Sequence, residues 1–423
     1  MRYRTLPSRV SGTIRASPSK SVTHRAIVLA SLSSGSSRIR RPLWSDDTDA
    51  TLDGMMAFGA DVVREGEVVR VAGEPLRLPD APIDARNSGT TLRLLAGVAA
   101  LVSGTTTLTG DSSLRKRPMG PLLDALRELG AGARALGDDG RPPVEIRGIL
   151  RGGSAALPGD VSSQFLSSLL IACPLAPEGS EIRVLAPIRS ESYIEMTRGM
   201  MHRFGVNVRT DGGVYRTAGG QRYRGTDVDV PGDFSSAAFP LVAAAITDGD
   251  VTVTGLDTDV PQGDRKLLDI LRSFGTRVEV SGDWVRVQGE SLVGQTVDIG
   301  DTPDLFPILA VLASQAEGET RFVNGGHLRF KESDRIDATV SLLHALGGRA
   351  KATEDGCLVS GPSRLLGGSV DARGDHRILM AAAVAGLAAK GSVDISDPWS
   401  FRVSYPRFLD DFRDLGALHA VIA

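Results

Sequence analysis

Six glycines constrain this chain most: Gly59, Gly130, Gly205, Gly275, Gly347 and Gly416. Each follows a Leu or Phe at the end of an amphipathic stretch, and each precedes a short strand-like run: MMAFGADVV, LRELGAGARAL, MHRFGVNVRT, LRSFGTRVEV, LHALGGRAKAT and FRDLGALHAVI. The intervals are 71, 75, 70, 72 and 69 residues. Glycine in that place ends a helix in the left-handed conformation, and the run after it begins a strand. A second phrase interleaves with the first: an apolar helix, a glycine, then a Thr/Val/Ser-rich strand. Its glycines are Gly35, Gly104, Gly179, Gly249, Gly318 and Gly391, again about 70 residues apart. Helices apolar nearly all round belong in the interior. The chain therefore reads as six copies of one α/β unit, each with two helices and several strands. The period exceeds the roughly 20–50 residues of solenoid repeats. At ~150 residues per domain, 423 residues make two or three domains, so three copies per domain with a crossover near residue 231 is the natural division.

The residues that open each helix carry the chemistry. The apolar helices open at Ser19-Lys20-Ser21, Asn87 to Thr90, Ser162-Ser163-Gln164, Asp233 to Ser236, Asp304, and Asp375-His376-Arg377. The amphipathic ones open at Asp46-Asp47, Arg115-Lys116-Arg117, Ser190 to Tyr193, Gln262-Gly263-Asp264, Lys331 to Arg335, and Arg402 to Tyr405. Ser, Asp and Asn in these places are explained as N-caps. Cations are not, because they oppose the helix dipole unless an anion lies between them and the backbone N–H groups. Repeats aim equivalent helix ends at a common place, so Lys20, Arg25, Arg93, Arg117, Arg335 and Arg377 point to an electropositive cleft for phosphates and carboxylates. Asp304 and Glu332 are the carboxylates placed for acid–base work beside them. Of 48 basic residues only Lys20, Lys116, Lys266, Lys331, Lys351 and Lys390 are lysines; unlike guanidinium, an ammonium can transfer a proton.

These motifs resemble, in order and along nearly the whole chain, those of the EPSP synthase family. The matching segments are Pro18-Ser19-Lys20-Ser21 to Arg25, Asn87-Ser88-Gly89-Thr90-Thr91-Leu92-Arg93, Arg117-Pro118, Ser162-Ser163-Gln164, Ser190 to Tyr193, Pro303-Asp304, Lys331 to Arg335, and Asp375-His376-Arg377. The resemblance implies a two-domain enolpyruvyl transferase fold, an inside-out α/β barrel of six βαβαββ-type repeats, three per domain, closing on a cleft. One domain would span 15–231 and mainly hold shikimate 3-phosphate. The other would comprise 1–14 and 232–423. The implied substrates are phosphoenolpyruvate and shikimate 3-phosphate, with no metal or organic cofactor. Shikimate 3-phosphate would lie on Lys20, Ser21, Arg25, Ser162, Ser163, Gln164, Ser190, Tyr193, Asp304, His327 and Lys331. Phosphoenolpyruvate would lie on Lys20, Gly89, Arg117, Gln164, Arg335 and Arg377. Glu332 would relay the C3 proton, Asp304 would serve the 5-hydroxyl, and Lys20 the departing phosphate.

Two positions depart from the family pattern. Val403 stands where a lysine is usual, with Arg402 beside it. His327 stands where an Asn is usual, either touching substrate or lying in a surface loop. The nearest rival, UDP-N-acetylglucosamine enolpyruvyl transferase, carries a reactive Cys or Asp near the Arg117 position; this chain has Asp111 there and no cysteine. A non-catalytic anion-binding relative would lack one of the two carboxylates. A net charge of -3 and the few aromatics around 115–117 argue against nucleic acid. There is no Gly-Lys for a P-loop and no Cys-x-x-Cys for a metal. The longest apolar run, Ile378 to Ala389, is too short to span a bilayer. Two cysteines, Cys173 and Cys357, and no apolar leader lead us to expect a cytoplasmic chain with buried thiols; a monomer is expected, although oligomeric state leaves no mark in the sequence.

Overall fold

The structure is a computed structural model that describes residues 1–73, 75–257 and 261–423. Twelve α-helices run through the described residues: α1 (Lys20–Ser31), α2 (Asp46–Ala57), α3 (Gly89–Ala99), α4 (Gly120–Glu128), α5 (Ser163–Ala172), α6 (Glu191–Arg203), α7 (Phe234–Ile246), α8 (Leu267–Ser273), α9 (Phe306–Gln315), α10 (Arg335–Ala345), α11 (His376–Leu387) and α12 (Phe408–Asp414). Odd-numbered helices are the apolar phrase and even-numbered ones the amphipathic phrase. The chain divides into two compact units, Pro18–Val230 and Met1–Ser17 with Pro231–Ala423.

One repeat shows the plan. Strand Ile83–Asp84 lies parallel to Thr105–Thr109, with α3 as the crossover. Thr105–Thr109 pairs antiparallel with Val144–Arg147, which pairs antiparallel with Gly132–Ala135. This is βαβαββ, and the same order recurs around Ser180–Leu185 and Gly318–Val323. Strands here alternate buried and open positions with period two, as in Val251 and Val253 against Thr252 and Thr254. The other three repeats take a strand from a distant part of the chain that belongs to their own unit. Ser33–Arg40 takes its parallel neighbours from Tyr223–Arg224 and Val228–Asp229. Asp250–Thr254 lies parallel to Ser11–Arg15, its neighbour within the unit although the other unit is inserted between them in the chain, and Val393–Ile395 pairs antiparallel with Arg2–Leu6. Each unit is thus closed on itself.

Sheets form the outside and apolar helices the inside. In one unit α7, α9 and α11 pack on one another; in the other, α3 packs on both α1 and α5. α7 is buried from Phe234 through Ala245 and α11 from end to end. All six repeat glycines after the even-numbered helices take positive φ: 108°, 95°, 85°, 96°, 82° and 88° in chain order. Each completes the same pair of bonds. In α2, the Gly59 N–H reaches the Met56 carbonyl and the Ala60 N–H the Met55 carbonyl; in α12, Gly416 reaches Arg413 and Ala417 reaches Phe412. These satisfy two of the carbonyls that a helix end leaves open.

Helix starts depart from the sequence expectation in one respect. Ser19, Ser45, Ser88, Ser162, Asp233, Asp334 and Asp375 do cap α1, α2, α3, α5, α7, α10 and α11. Several cations expected on first turns instead precede the helix. Arg117 lies before α4, which begins at Gly120-Pro121; Lys331 and Glu332 lie before α10; Arg402 sits in a 3₁₀ turn, Ser400–Val403, ahead of α12. Pro118 and Pro406 explain two of these delays, since the residue before a proline is pushed out of helical conformation.

Candidate active site

In the unit Pro18–Val230, the N-terminal ends of α1, α2, α3, α5 and α6 are tied together by polar side chains. The Lys20 ammonium donates to Asp47 Oδ2 at 2.9 Å, with both side chains largely buried. His24, wholly buried on α1, bonds Thr51 Oγ1 at 2.7 Å; Thr51 meets Thr91 at 2.6 Å, and Thr91 donates to Ser88 at 2.7 Å. Arg93 donates to Gln164 Oε1 at 2.6 Å and Gln164 Nε2 to Thr90 at 2.8 Å, joining α3 to α5. Arg117 donates to Asn87 Oδ1 at 2.7 Å. Gly89 lies under these arginines: a methyl group there would come within 2.9 Å of Arg117 Nη1 and 3.3 Å of Arg93 Nη1. Glycine leaves room at that helix start for both guanidiniums.

Arg25 is among the largest fully buried side chains. It donates to Thr197 Oγ1 (2.8 Å), Ser21 O (3.0 Å), Tyr193 O (3.2 Å) and Ser167 Oγ (3.4 Å), all neutral acceptors. Burial pushes its pKa down to about 10, with Tyr193 acting weakly the other way. A leucine at such a place would add about 1.5–3 kcal/mol, whereas a buried cation costs more than that unless paired. Ser21, Ser162, Ser163 and Tyr193 are half-buried around the same helix starts; Ser190 is buried and held at φ 56°.

In the other unit, Asp304, Glu332 and Asp375 surround Arg335. Arg335 Nη1 donates to Asp304 Oδ1 at 2.7 Å, Nη2 to Glu332 Oε2 at 2.8 Å and Nε to Asp375 Oδ2 at 2.9 Å. Arg377 Nη2 donates to Asp304 Oδ2 at 3.0 Å. Asp304 does not cap α9, so its carboxylate is committed to these two guanidiniums. Burial alone would raise its pKa; Arg377 and Arg335, with Lys331 beyond, hold it far below the ordinary carboxylate range. Arg335, although burial opposes its charge, is held fully protonated by Asp375, Glu332 and Asp304. Asp264 behaves oppositely: burial first, then the charge of Asp304, push it up to about 7, against the Ser235 hydroxyl and Arg377.

His327 is buried in the 3₁₀ turn Gly326–Phe330, which removes the surface-loop reading. The motifs left four supporting residues without a role. Asp47 and Asp375 look like ordinary first-turn acids, Asp264 like loop polarity and Asn87 like a cap. Nothing local distinguishes them, because their roles come from partners 27 to 40 residues away or from burial. Both cysteines are free and buried, and burial pushes each thiol up to about 12. Among the described residues no helix is long and apolar enough to cross a membrane.

Residues 5–412 match the family model described as EPSP synthase (3-phosphoshikimate 1-carboxyvinyltransferase). A 3-phosphoshikimate 1-carboxyvinyltransferase of Methanocorpusculum labreanum is 47% identical over 413 residues, 97% of each chain. One of Halobacterium salinarum is 43% identical over 425 residues, covering 97% of this chain and 98% of its own. The solved EPSP synthase of Acinetobacter baumannii superposes with a TM-score of 0.82 at 29% identity, covering all of both chains. The enolpyruvyl transferase NikO from Streptomyces tendae superposes at 0.80 and 19% identity, over 99% of this chain and 98% of its own, and speaks to the fold alone.

Proposed function

The chain belongs to the EPSP synthase family, and from that membership we propose how its two clusters divide the work. It is an enolpyruvyl transferase of the shikimate pathway, moving the enolpyruvyl group of phosphoenolpyruvate to the 5-hydroxyl of shikimate 3-phosphate and releasing phosphate. A UDP-N-acetylglucosamine acceptor is set aside, since these relatives carry the shikimate name along their full length.

In this assignment Lys20, Ser21, Arg25, Ser162, Ser163, Gln164, Ser190 and Tyr193 hold shikimate 3-phosphate, joined by Asp304, His327 and Lys331. The unit Pro18–Val230 thus supplies most of its contacts. Lys20, Gly89, Arg117 and Gln164 take the phosphate of phosphoenolpyruvate. Arg335 and Arg377 take its carboxylate. The observation that carries this reading is that both guanidiniums already reach one carboxylate, Asp304, at 2.7 and 3.0 Å. Two forks aimed at one carboxylate are suited to another. A substrate carboxylate that draws off either arginine also restores basicity to Asp304.

Asp304 then accepts the proton of the 5-hydroxyl as that oxygen bonds C2 of phosphoenolpyruvate, while Glu332 delivers a proton to C3. In the second half Glu332 takes a proton back from C3, the C2–O bond to phosphate breaks, and Lys20 protonates the leaving oxygen. The residues present accomplish this by proton transfer and charge alone. We take the enzyme to act as a monomer in the cytoplasm, where its two buried thiols stay reduced. Glu332→Gln should keep both Michaelis constants within a few-fold and lower kcat by ~10²–10⁴. Steady-state phosphate release measures this; near-normal turnover would leave Glu332 as a mere partner of Arg335.

A further inference from the structure

Asp111 sits in the loop after strand Thr105–Thr109, outside the residues assigned to substrate. Its carboxylate joins two loops. Oδ1 accepts from the Ser113 N–H at 3.0 Å and the Leu114 N–H at 2.8 Å, which shapes the loop leading to Arg117. Oδ2 accepts from Asn87 Nδ2 at 2.7 Å. Its own N–H donates to the Arg86 carbonyl at 2.8 Å. Asn87 in turn accepts from Arg117 Nη2 at 2.7 Å and stands two residues ahead of Gly89.

The chemistry of this row fixes its direction. A carboxylate only accepts and a guanidinium only donates, so an amide between them has a single satisfactory orientation: NH₂ toward Asp111, oxygen toward Arg117. We propose that Asp111 is a positioning residue for phosphoenolpyruvate binding, acting through Asn87 to aim the Arg117 guanidinium over the start of α3.

The proposal rests on the assignment of Arg117 to phosphoenolpyruvate, and the test separates the two. Asp111→Asn is the informative variant. Its amide oxygen can still accept from Ser113 and Leu114, so the loop keeps its shape, but its NH₂ faces Asn87 and lets that amide turn its own NH₂ on Arg117. In full-length enzyme, initial rates of phosphate release would be read against each substrate with the other saturating. The expected result is a rise of about five- to tenfold in KM for phosphoenolpyruvate, with KM for shikimate 3-phosphate within about twofold and an unchanged melting temperature. In an Arg117→Ala background, adding Asp111→Asn should raise KM no further. Independent, additive effects, or both Michaelis constants rising together with a fall in melting temperature, would overturn the positioning role. If Arg117→Ala raises KM and Asp111→Asn does not, the proposal alone fails. If Arg117→Ala itself leaves KM unmoved, the substrate assignment fails and the proposal falls with it.

Discussion

Val403 carries the least expected chemistry of any single residue. Where relatives in this family usually supply an ammonium, valine offers neither charge nor donor. Its neighbour Arg402 is exposed, with its guanidinium stacked over the Trp399 ring at 4.4 Å, which favours a surface role for it. Losing one charge-assisted hydrogen bond costs about 1.5–3 kcal/mol, or roughly tenfold or more in affinity. Val403→Lys should therefore tighten phosphoenolpyruvate, measured by calorimetric titration in the presence of shikimate 3-phosphate, while Arg402→Ala changes little. A tenfold loss in Arg402→Ala with no gain in Val403→Lys would make Arg402 the replacement. A second residue-scale effect concerns pH. Burial, then the charges of Lys20 and Arg25, hold His24 well below its ordinary value of 6.5. Below that pH the unfolded chain binds a proton that the folded chain refuses, so stability falls as pH drops. Asp264 works the other way: raised to about 7, it favours the folded state as pH falls from 7 toward 3.8. His24→Asn should flatten the fall in urea-unfolding free energy between pH 6.5 and 5 compared with wild type; an unchanged slope would show that His24 does not govern it.

Among the elements, the even-numbered helices test whether the repeat glycines matter through backbone conformation. Gly416, at φ 88°, has open space around it: an added methyl group would come no closer than 3.8 Å to the Arg9 carbonyl. Gly416→Ala should cost about 1–2 kcal/mol, the price of a left-handed alanine, visible as a lower urea midpoint with the same slope. A variant of wild-type stability would show that the chain closes α12 without that conformation. These glycines are also why the fold was legible. Positive φ leaves a sequence mark that recurs with the repeat, and apolar helices announce their own burial. The borrowed strands left no such mark. Nothing in Ser11–Arg15 or Tyr223–Arg224 says that its partner lies about 190 to 240 residues away in the chain, because sheet pairing is set by tertiary closure. The site divides along the same line. Lys20, Arg117 and Arg335 stand out as cations where helices begin, whereas Asp47, Asp111 and Asp264 acquire their roles only from what folding brings beside them.

At the scale of the whole molecule, what stands to be tested is the reaction itself, which the relatives along nearly the full chain support. Phosphate release from phosphoenolpyruvate, measured with shikimate 3-phosphate and, separately, with UDP-N-acetylglucosamine as acceptor, tests it most directly. Turnover is expected with the first and none with the second; turnover with the second alone would overturn the assignment.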